Sequence, residues 1–432
     1  MRHALLRYLM NRISTSLWLL PLICVIAACF SAWVFYHIDN SQVGLKLSYW
    51  LGIHSLDASS AKLILSTIAG SMMTIASLVF SITLMTLTLA SQQLGSRLIE
   101  WFMNNRLTQL VLGSYIALFV YTLLSIGSVS DNDTGFNSHI TVVAAICATV
   151  ANLILLVIYI HRAALHIQTD TVISASGNQL NESIESRFKT IGQHAQVEVK
   201  PYLEGEPVTI CATDAGYVQT IDIGALLDLA TKHEGFIKVE RQAGDFVVEG
   251  VPLARIWGCG DEALEKIEDN VRGNFVFGPK RTAAQDIQFA LRGLVEIALR
   301  ALSPGINDPH TALACIDYIG SALVKLMTGP VDPKMLPDDK GIARLVLSGP
   351  SLDDYADTGF NPIRHAGADN PLVLGRLADV QLMLLSLSDD EEEHMLWKRH
   401  LRRTLETAER CIAEPAERAD LQQRIGVTIG AR

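Results

Sequence analysis

Hydrophobic and polar positions divide the chain near residue 160. Before that point four apolar runs, at about 17–36, 63–90, 107–128 and 140–160, are each long enough to cross a bilayer, which takes about twenty residues. After it, apolar residues recur at helical or strand spacing among charged ones, as in a soluble chain. The second run differs from the other three. Between Ala61 and Gln93 its only formal charge is Lys62, yet hydroxyl residues are spread along its whole length. On a helix Ser66, Gly70, Thr74, Ser77, Ser81 and Thr88 recur at steps of three, four or seven and lie roughly along one face. Hydrocarbon does not satisfy hydroxyl groups, so that face is expected to meet protein or water. Two readings stay open: close helix packing with hydrogen bonds worth about 0.6–2 kcal/mol each, or the lining of a permeation path. No Asp, Glu, Lys, Arg or His lies deep in a span to mark a proton relay or voltage sensor.

Positive charges in short loops set the expected orientation. Arg2, Arg7 and Arg12 precede the first run, Arg97 and Arg106 lie between the second and third, and Arg162 follows the fourth. The stretch 130–135, between the third and fourth, has no Lys or Arg and is rich in turn residues. This places both termini and the large C-terminal part in the cytoplasm. The first run is read as a retained span, because its apolar core is too long for a signal peptide and Ala-x-Ala-type cleavage residues are lacking. The second helix continues past Gln93 towards Trp101 and Phe102, at the inner interface. Asn152 is the strongest polar group in the fourth span and is expected to face another helix or a cavity.

In the soluble part, a helical pattern runs from His161 to about Val197, with Asp170 and Thr171 as a point of interruption, and Pro201 ends it. Strands are expected at 208–211, 216–222, 236–240 and within 245–256, with a short helix at 223–233. Their glycine corners resemble half of a biotinyl/lipoyl-type barrel-sandwich, without the lysine that a swinging-arm carrier needs. An amphipathic helix follows over 286–302, on which Arg292, Glu296 and Arg300 stand at i,i+4 spacing. Ser303, Pro304 and Gly305 break it, and Asp308 with Pro309 suits an N-cap and first helical position for the next helix. That turn is either structural or, through free amides at a helix start, an anion site. From Ile342 the chain reads as mostly helical, with Pro362, Arg364 and His365 near a helix start.

Composition narrows the functions. The net charge is −10 and the acids concentrate in the C-terminal part, around Asp389 to Glu393, which argues against nucleic-acid binding. The seven cysteines are scattered without a C-x-x-C pair, so reduced buried thiols are expected and neither a disulfide nor a metal site. His310 stands beside Pro309 without a nucleophile pattern. No Walker loop, G-x-S-x-G, H-E-x-x-H or dinucleotide fingerprint occurs, so no catalytic residue is assigned and no enzyme or cofactor is expected.

Several runs resemble the DUF2254 family of bacterial predicted membrane proteins. They are Ile68–Met72, Val79–Leu84 and Leu89–Gln92 in the second span, then Gly216–Val218, Gly244–Val247, Arg281–Thr282 and Gln285–Asp286. The most specific is the run from Ile297 to Pro309, Ile-Ala-Leu-Arg-Ala-Leu-Ser-Pro-Gly-Ile-Asn-Asp-Pro. The resemblance implies an inner-membrane protein with a cytoplasmic domain. It directs attention to the second span and to the Arg300–Pro309 turn, and it adds no catalytic residues.

The expected architecture is therefore an α-helical membrane domain of four transmembrane helices plus a cytoplasmic α+β domain. The latter contains a small β-barrel-like module and a helical C-terminal part. The boundaries read 1–162 for the membrane domain, 163–200 for a helical connector, 201–260 for the β-rich module and 261–432 for the mainly helical remainder. The expected function is an oligomeric inner-membrane channel for a small ion or solute, its pore lined by Ser66, Gly70, Thr74, Ser77, Ser81 and Thr88. The other class is a membrane-anchored scaffold or sensor whose cytoplasmic domain binds a ligand or partner. Cytoplasmic candidates around the turn are Arg281, Glu296, Arg300, Ser303, Asn307 and Asp308. The expected partners are the lipid bilayer and further copies of the chain.

Overall fold

The computed structural model describes residues 18–41, 57–94, 106–129, 139–166, 169–192, 205–258, 264–329 and 335–430. Arg2, Arg7, Arg12, Arg97, Trp101, Phe102, the loop 130–135, Pro201 and Cys259 lie outside these residues. The described residues form two compact units, one within 18–166 and one within 169–430.

The first unit is helical: α1 (Leu19–Asp39), α2 (Ala58–Leu94), α3 (Arg106–Ser128) and α4 (His139–His166). At about 1.5 Å per residue the 37 residues of α2 extend roughly 55 Å, well beyond the roughly 30 Å of hydrocarbon in a bilayer. Helix α3 packs against all three others and buries Val111, Tyr115, Leu118 and Tyr121. Gly113 permits a close approach of α1. A Cβ there would lie 2.8 Å from the Pro21 Cα of α1, and a backbone atom cannot yield as a side-chain tip can. Helix α2 turns Ala61, Leu65, Met72, Ala76 and Val79 inward, a spacing of three and four that forms one apolar stripe.

Helix α5 (Thr169–Gly192) opens the second unit, so among the described residues the helical pattern expected from His161 onward falls into two helices, divided within a few residues of the interruption expected at Asp170 and Thr171. The order is then β1 (Val208–Cys211), β2 (Gly216–Ile221), α6 (Ile223–Lys232), β3 (Phe236–Val239), β4 (Phe246–Val247), β5 (Pro252–Trp257), α7 (Leu264–Gly273) and β6 (Phe275–Gly278). Helices α8 (Ile287–Ala301) and α9 (Pro309–Thr328) follow, then β7 (Met335–Pro337) and β8 (Ala343–Leu347). The chain ends in α10 (Leu352–Ala366), α11 (Pro371–Leu387), α12 (Glu391–Cys411) and α13 (Pro415–Ile429).

These strands form two sheets. The larger has the order β1-β5-β3-β8-β7, antiparallel except for the parallel pair β3–β8, where Ile237 lies beside Leu345. The smaller has the order β4-β2-β6. Strands β6, β7 and β8 all come from beyond residue 260, and β8 occupies a stretch whose sequence reads as helical. Ile210, Leu226, Ile237, Leu253, Val271 and Leu345 form the shared core of sheets and short helices.

Helix starts follow the local chemistry. Asp222, Asp286, Asp308, Ser351 and Asn370 each cap a helix through a side-chain oxygen, and Pro309, Pro371 and Pro415 occupy first turns, where a missing N–H costs nothing. The Ser351–Asp354 capping box starts α10 early, so Pro362 sits inside that helix and not near its start. Helix α9 packs against α5, α8, α10 and α11. By length and composition five described helices are apolar enough to cross a membrane: α1 to α4 and α9.

Candidate functional site

In the first unit every position of the row singled out by periodicity, five hydroxyl residues and a glycine, lies on the outer surface of α2. Ser66, Gly70, Thr74, Ser77, Ser81 and Thr88 are all exposed on the isolated chain, and a Cβ at Gly70 would meet nothing within 4 Å. At about 100° per residue this row is centred opposite the Leu65–Met72–Val79 stripe. Four of the five hydroxyls have partners within the helix. Ser66, Thr74, Ser81 and Thr88 each donate to a carbonyl three or four residues earlier, at 2.9–3.0 Å. The helix satisfies these donors itself, so hydrocarbon does not exclude the face as strictly as free hydroxyls would require. What remains is a face of small polar groups and exposed backbone, flanked by the exposed Met73, Leu78, Leu84 and Met85.

Polar groups between helices do a different job. Asp39, at the end of α1, is buried and accepts the backbone N–H groups of Ile140 and Thr141, both at 3.0 Å, and the Thr141 hydroxyl at 2.6 Å. It caps α4 from another helix, supplying acceptors that the first turn of α4 lacks. Tyr121 Oη donates to the Thr141 carbonyl at 3.0 Å, Tyr115 Oη to the Asn152 carbonyl at 2.7 Å, and Thr83 bonds Tyr159 at 2.7 Å. Asn152 is buried, facing protein.

In the second unit the cytoplasmic candidates separate along α8. At its N-terminal end Arg281 pairs with Asp286 at 2.6–2.7 Å, and its guanidinium lies 5.8 Å from the Phe289 ring centroid. Burial pushes the Asp286 carboxyl up, while the Phe289 N–H and the Arg281 charge pull it down. Gly244 packs onto this pair. Its φ is +95°, and a Cβ there would fall 2.1 Å from Asp286 Oδ2, so only glycine fits on both counts. Gln285 bonds both the N–H and the C=O of Ile221, at 2.8 and 3.0 Å, and so extends the edge of β2 with a side-chain amide. On the small sheet Tyr217 and Phe246 sit opposite one another, with ring centroids 5.0 Å apart.

At the other end of α8, roughly 22 Å away by helix length, the turn closes on itself. Ser303 Oγ donates to the Arg300 carbonyl at 2.6 Å, Asn307 N–H donates to the Ser303 carbonyl at 2.9 Å, and Asp308 N–H to the Ala301 carbonyl at 2.8 Å. Asn307 holds φ at 50°, a conformation Asn tolerates better than most residues. Asp308 caps α9 through the Thr311 N–H and hydroxyl, at 3.2 and 2.6 Å, which hold its carboxyl below the usual range, the hydroxyl first. Arg292, Glu296 and Arg300 are half-buried along α8 between the two ends. The six candidates therefore do not converge: Arg281 belongs to the sheet junction, and Ser303, Asn307 and Asp308 to the turn.

Beyond the turn, His310 opens a groove of about 730 Å³ between α9, α11 and α13. Its charges face one another: Arg376 holds Asp317 with two bonds of 2.5 and 2.7 Å, and Arg424 lies 2.8 Å from Asp420 and 3.5 Å from Asp379. Among the described residues one group of carboxylate and imidazole side chains converges closely enough to hold a metal ion: Asp353, Asp357 and His400. The six described cysteines are free. Cys315 is buried, whereas Cys29 and Cys147 lie exposed on the helices of the first unit, against the expectation of buried thiols.

The match to known sequences is broad. The family model described as "Predicted membrane protein (DUF2254)" covers residues 14–382. The chain belongs to the DUF2254 family. It is a membrane protein, in keeping with its long apolar helices. It is also similar to uncharacterized proteins of Mycobacterium bovis and Mycobacterium tuberculosis strain H37Rv. Each is 26% identical over 375 residues, spanning 83% of this chain and 70% of the relative. No solved structure matches. The motifs that carried the family resemblance fall at the two ends of α8, the sheet junction and the turn, and along α2. Asp39, the groove and the Asp353–Asp357–His400 group are not among those motifs. A lone aspartate ending an apolar run was a visible signal for the first; nothing local marks the other two.

Proposed function

We propose that this DUF2254 protein is an oligomeric, channel-like protein of the bacterial inner membrane whose path is lined by α2. One observation carries the reading: the complete hydroxyl row faces away from the other helices of its own bundle. That side is available to a neighbouring copy or to water, and uncharged hydroxyls and carbonyls suit passive movement of a small ion or solute. Four helices per chain are few for a monomeric path, and α2 in a ring of subunits supplies one. Both termini and the second unit are cytoplasmic in this reading, on the loop charges. Helices α1 to α4 span, and α9 does not. Helix α9 contributes no large exposed apolar side chain, whereas α1 exposes Leu22, Ile23, Ile26, Phe30 and Trp33. The second unit, including its β-rich module, assembles the subunits and regulates opening; it is assigned no enzymatic activity, cofactor or nucleic acid.

The test places single cysteines at Thr74, Ser77 and Ser81 in a chain stripped of Cys24, Cys29 and Cys147, reconstituted in vesicles. A membrane-impermeant thiol reagent is expected to modify all three and to reduce solute or ion flux. Absence of both modification and flux, with crosslinking between copies retained, leaves a membrane-anchored scaffold in which the hydroxyl face is only a packing surface.

A further inference from the structure

Helices α10 and α12 lie side by side in the second unit and bring together a group that neither helix shows alone. Asp353 and Asp357 stand one turn apart on α10 and so share a face. His400 reaches that face from α12, its side chain only 1% exposed. Its Nε2 lies 3.5 Å from Asp357 Oδ1 and 3.9 Å from Asp353 Oδ1, yet it makes no hydrogen bond. All three groups offer ligand atoms within 4.8 Å of one another. We propose that Asp353, Asp357 and His400 bind a divalent first-row transition-metal ion, of the class of Zn²⁺ or Mn²⁺.

The donor set points to that class. Imidazole nitrogen with carboxylate oxygen suits zinc, manganese and ferrous iron, whereas calcium and magnesium prefer oxygen alone. Burial holds the His400 imidazole neutral, lowering its pKa to about 4, and the neutral ring is the form that ligates a metal. Helix α12 packs around Trp397 and α10 around Phe360, both fully buried, with each ring about 6 Å from the imidazole, so the histidine is held by packing on either side. Such fixing is what a ligand needs in order to point at one place.

A second set of contacts accounts for the carboxylates but not for the histidine. Arg399 pairs with Asp353, and Arg403 holds Asp357 at 2.9 Å; Asn361 Nδ2 also donates to Asp357 Oδ1, at 2.7 Å. In both aspartates these donors sit on Oδ1, the same oxygen that lies nearest His400. A carboxylate offers about four lone-pair sites on its two oxygens, so each would keep its arginine on Oδ1 while giving the metal Oδ2 or a second lone pair of Oδ1, and the guanidinium groups would orient the ligands from outside. The buried nitrogen of His400 has no such alternative. Both aspartates are partly exposed, so the ion has a route in from solvent. Three protein donors leave at least one coordination position for water, and the ion ties α10 to α12.

The test uses the untagged full-length protein in detergent, stripped with a chelator and then dialysed against ZnCl₂ or, separately, MnCl₂. One bound ion per chain is expected, with a raised melting temperature. Asp357→Asn and His400→Gln should each weaken binding at least tenfold, whereas Asp420→Asn, on α13, should leave it unchanged. If His400→Gln does not fold, the double variant Asp353→Asn/Asp357→Asn decides. Failure of the wild-type chain to retain either ion, or retention unchanged in the carboxamide variants, overturns the site. Because the flux test reads α2 and this one reads α10 and α12, either proposal can fail without the other.

Discussion

Helices α1 and α9 look alike as sequences, since both are long and apolar enough to span a membrane, yet the fold treats them in opposite ways. Helix α1 buries Ala28, Ala32 and Asp39 and turns its large side chains outward. Helix α9 buries Cys315, Ile316, Ile319 and Leu323 against α5, α8, α10 and α11. Each large apolar side chain is worth about 1.5–3 kcal/mol when removed from water. Helix α9 obtains this from its own unit; α1 must obtain it from lipid or from other chains. Hydropathy measures how much apolar surface a helix carries, and only packing says where that surface is satisfied.

The polar contacts of the two units differ in the same sense. Between the apolar helices, hydroxyls bond backbone carbonyls, as in Tyr115 to Asn152 and Tyr121 to Thr141. In the second unit, side chains bond one another between helices, in ion pairs such as Arg376 to Asp317 and Arg403 to Asp357 and in buried contacts such as Thr404 to Gln381. Asp39 is the exception: a carboxylate used inside the first unit, with three donors converging on it.

The sharpest test of the comparison is a pair of truncations. Ile319→Ala in α9 should cost about 2–5 kcal/mol of stability in the second unit, read by thermal or denaturant unfolding. Ile26→Ala in α1 should cost well under that, since its side chain touches little of its own chain. Equal losses would break the distinction. Asp39→Ala should come next, at about 2 kcal/mol, because it strands donors at the start of α4. Its loss should appear as protease cleavage near Ile140 in otherwise intact protein. Gly113→Ala should cost about 1–3 kcal/mol by forcing α1 away from α3.

Asp308→Ala should cost about 1 kcal/mol through loss of the α9 cap. The sign with pH follows from the depressed carboxyl: the unfolded chain binds the proton first, so the stabilisation is complete above the ordinary pKa of 3.8 and is lost as pH falls through the lower folded value. Asp308→Asn should flatten that acid limb, which a melting series between neutral pH and pH 3 would show. The smallest effect is expected at Gly70→Ala, which on an isolated chain should be neutral or stabilising by up to about 1 kcal/mol. A loss of assembly in that variant, measured by crosslinking in membranes, would place a neighbouring subunit against the hydroxyl face.

Local patterns carried much of the architecture. The four apolar helices, the strands at 208–211 and 216–221, the helix capped by Asp286 and the Asp308–Pro309 start of α9 all follow from periodicity and capping residues within a few positions of one another. These features depend on neighbours in sequence, so a sequence displays them. Tertiary structure alone decided the rest: the pairing of β8 with β3, the reach of Asp39 to α4, the division of the candidates between the two ends of α8, and the meeting of His400 with Asp353 and Asp357. Each joins residues far apart in the chain, whose proximity is set by which apolar faces bury one another. It also decided that the hydroxyl row of α2 looks outward, because the stronger apolar stripe on the opposite side claims the bundle.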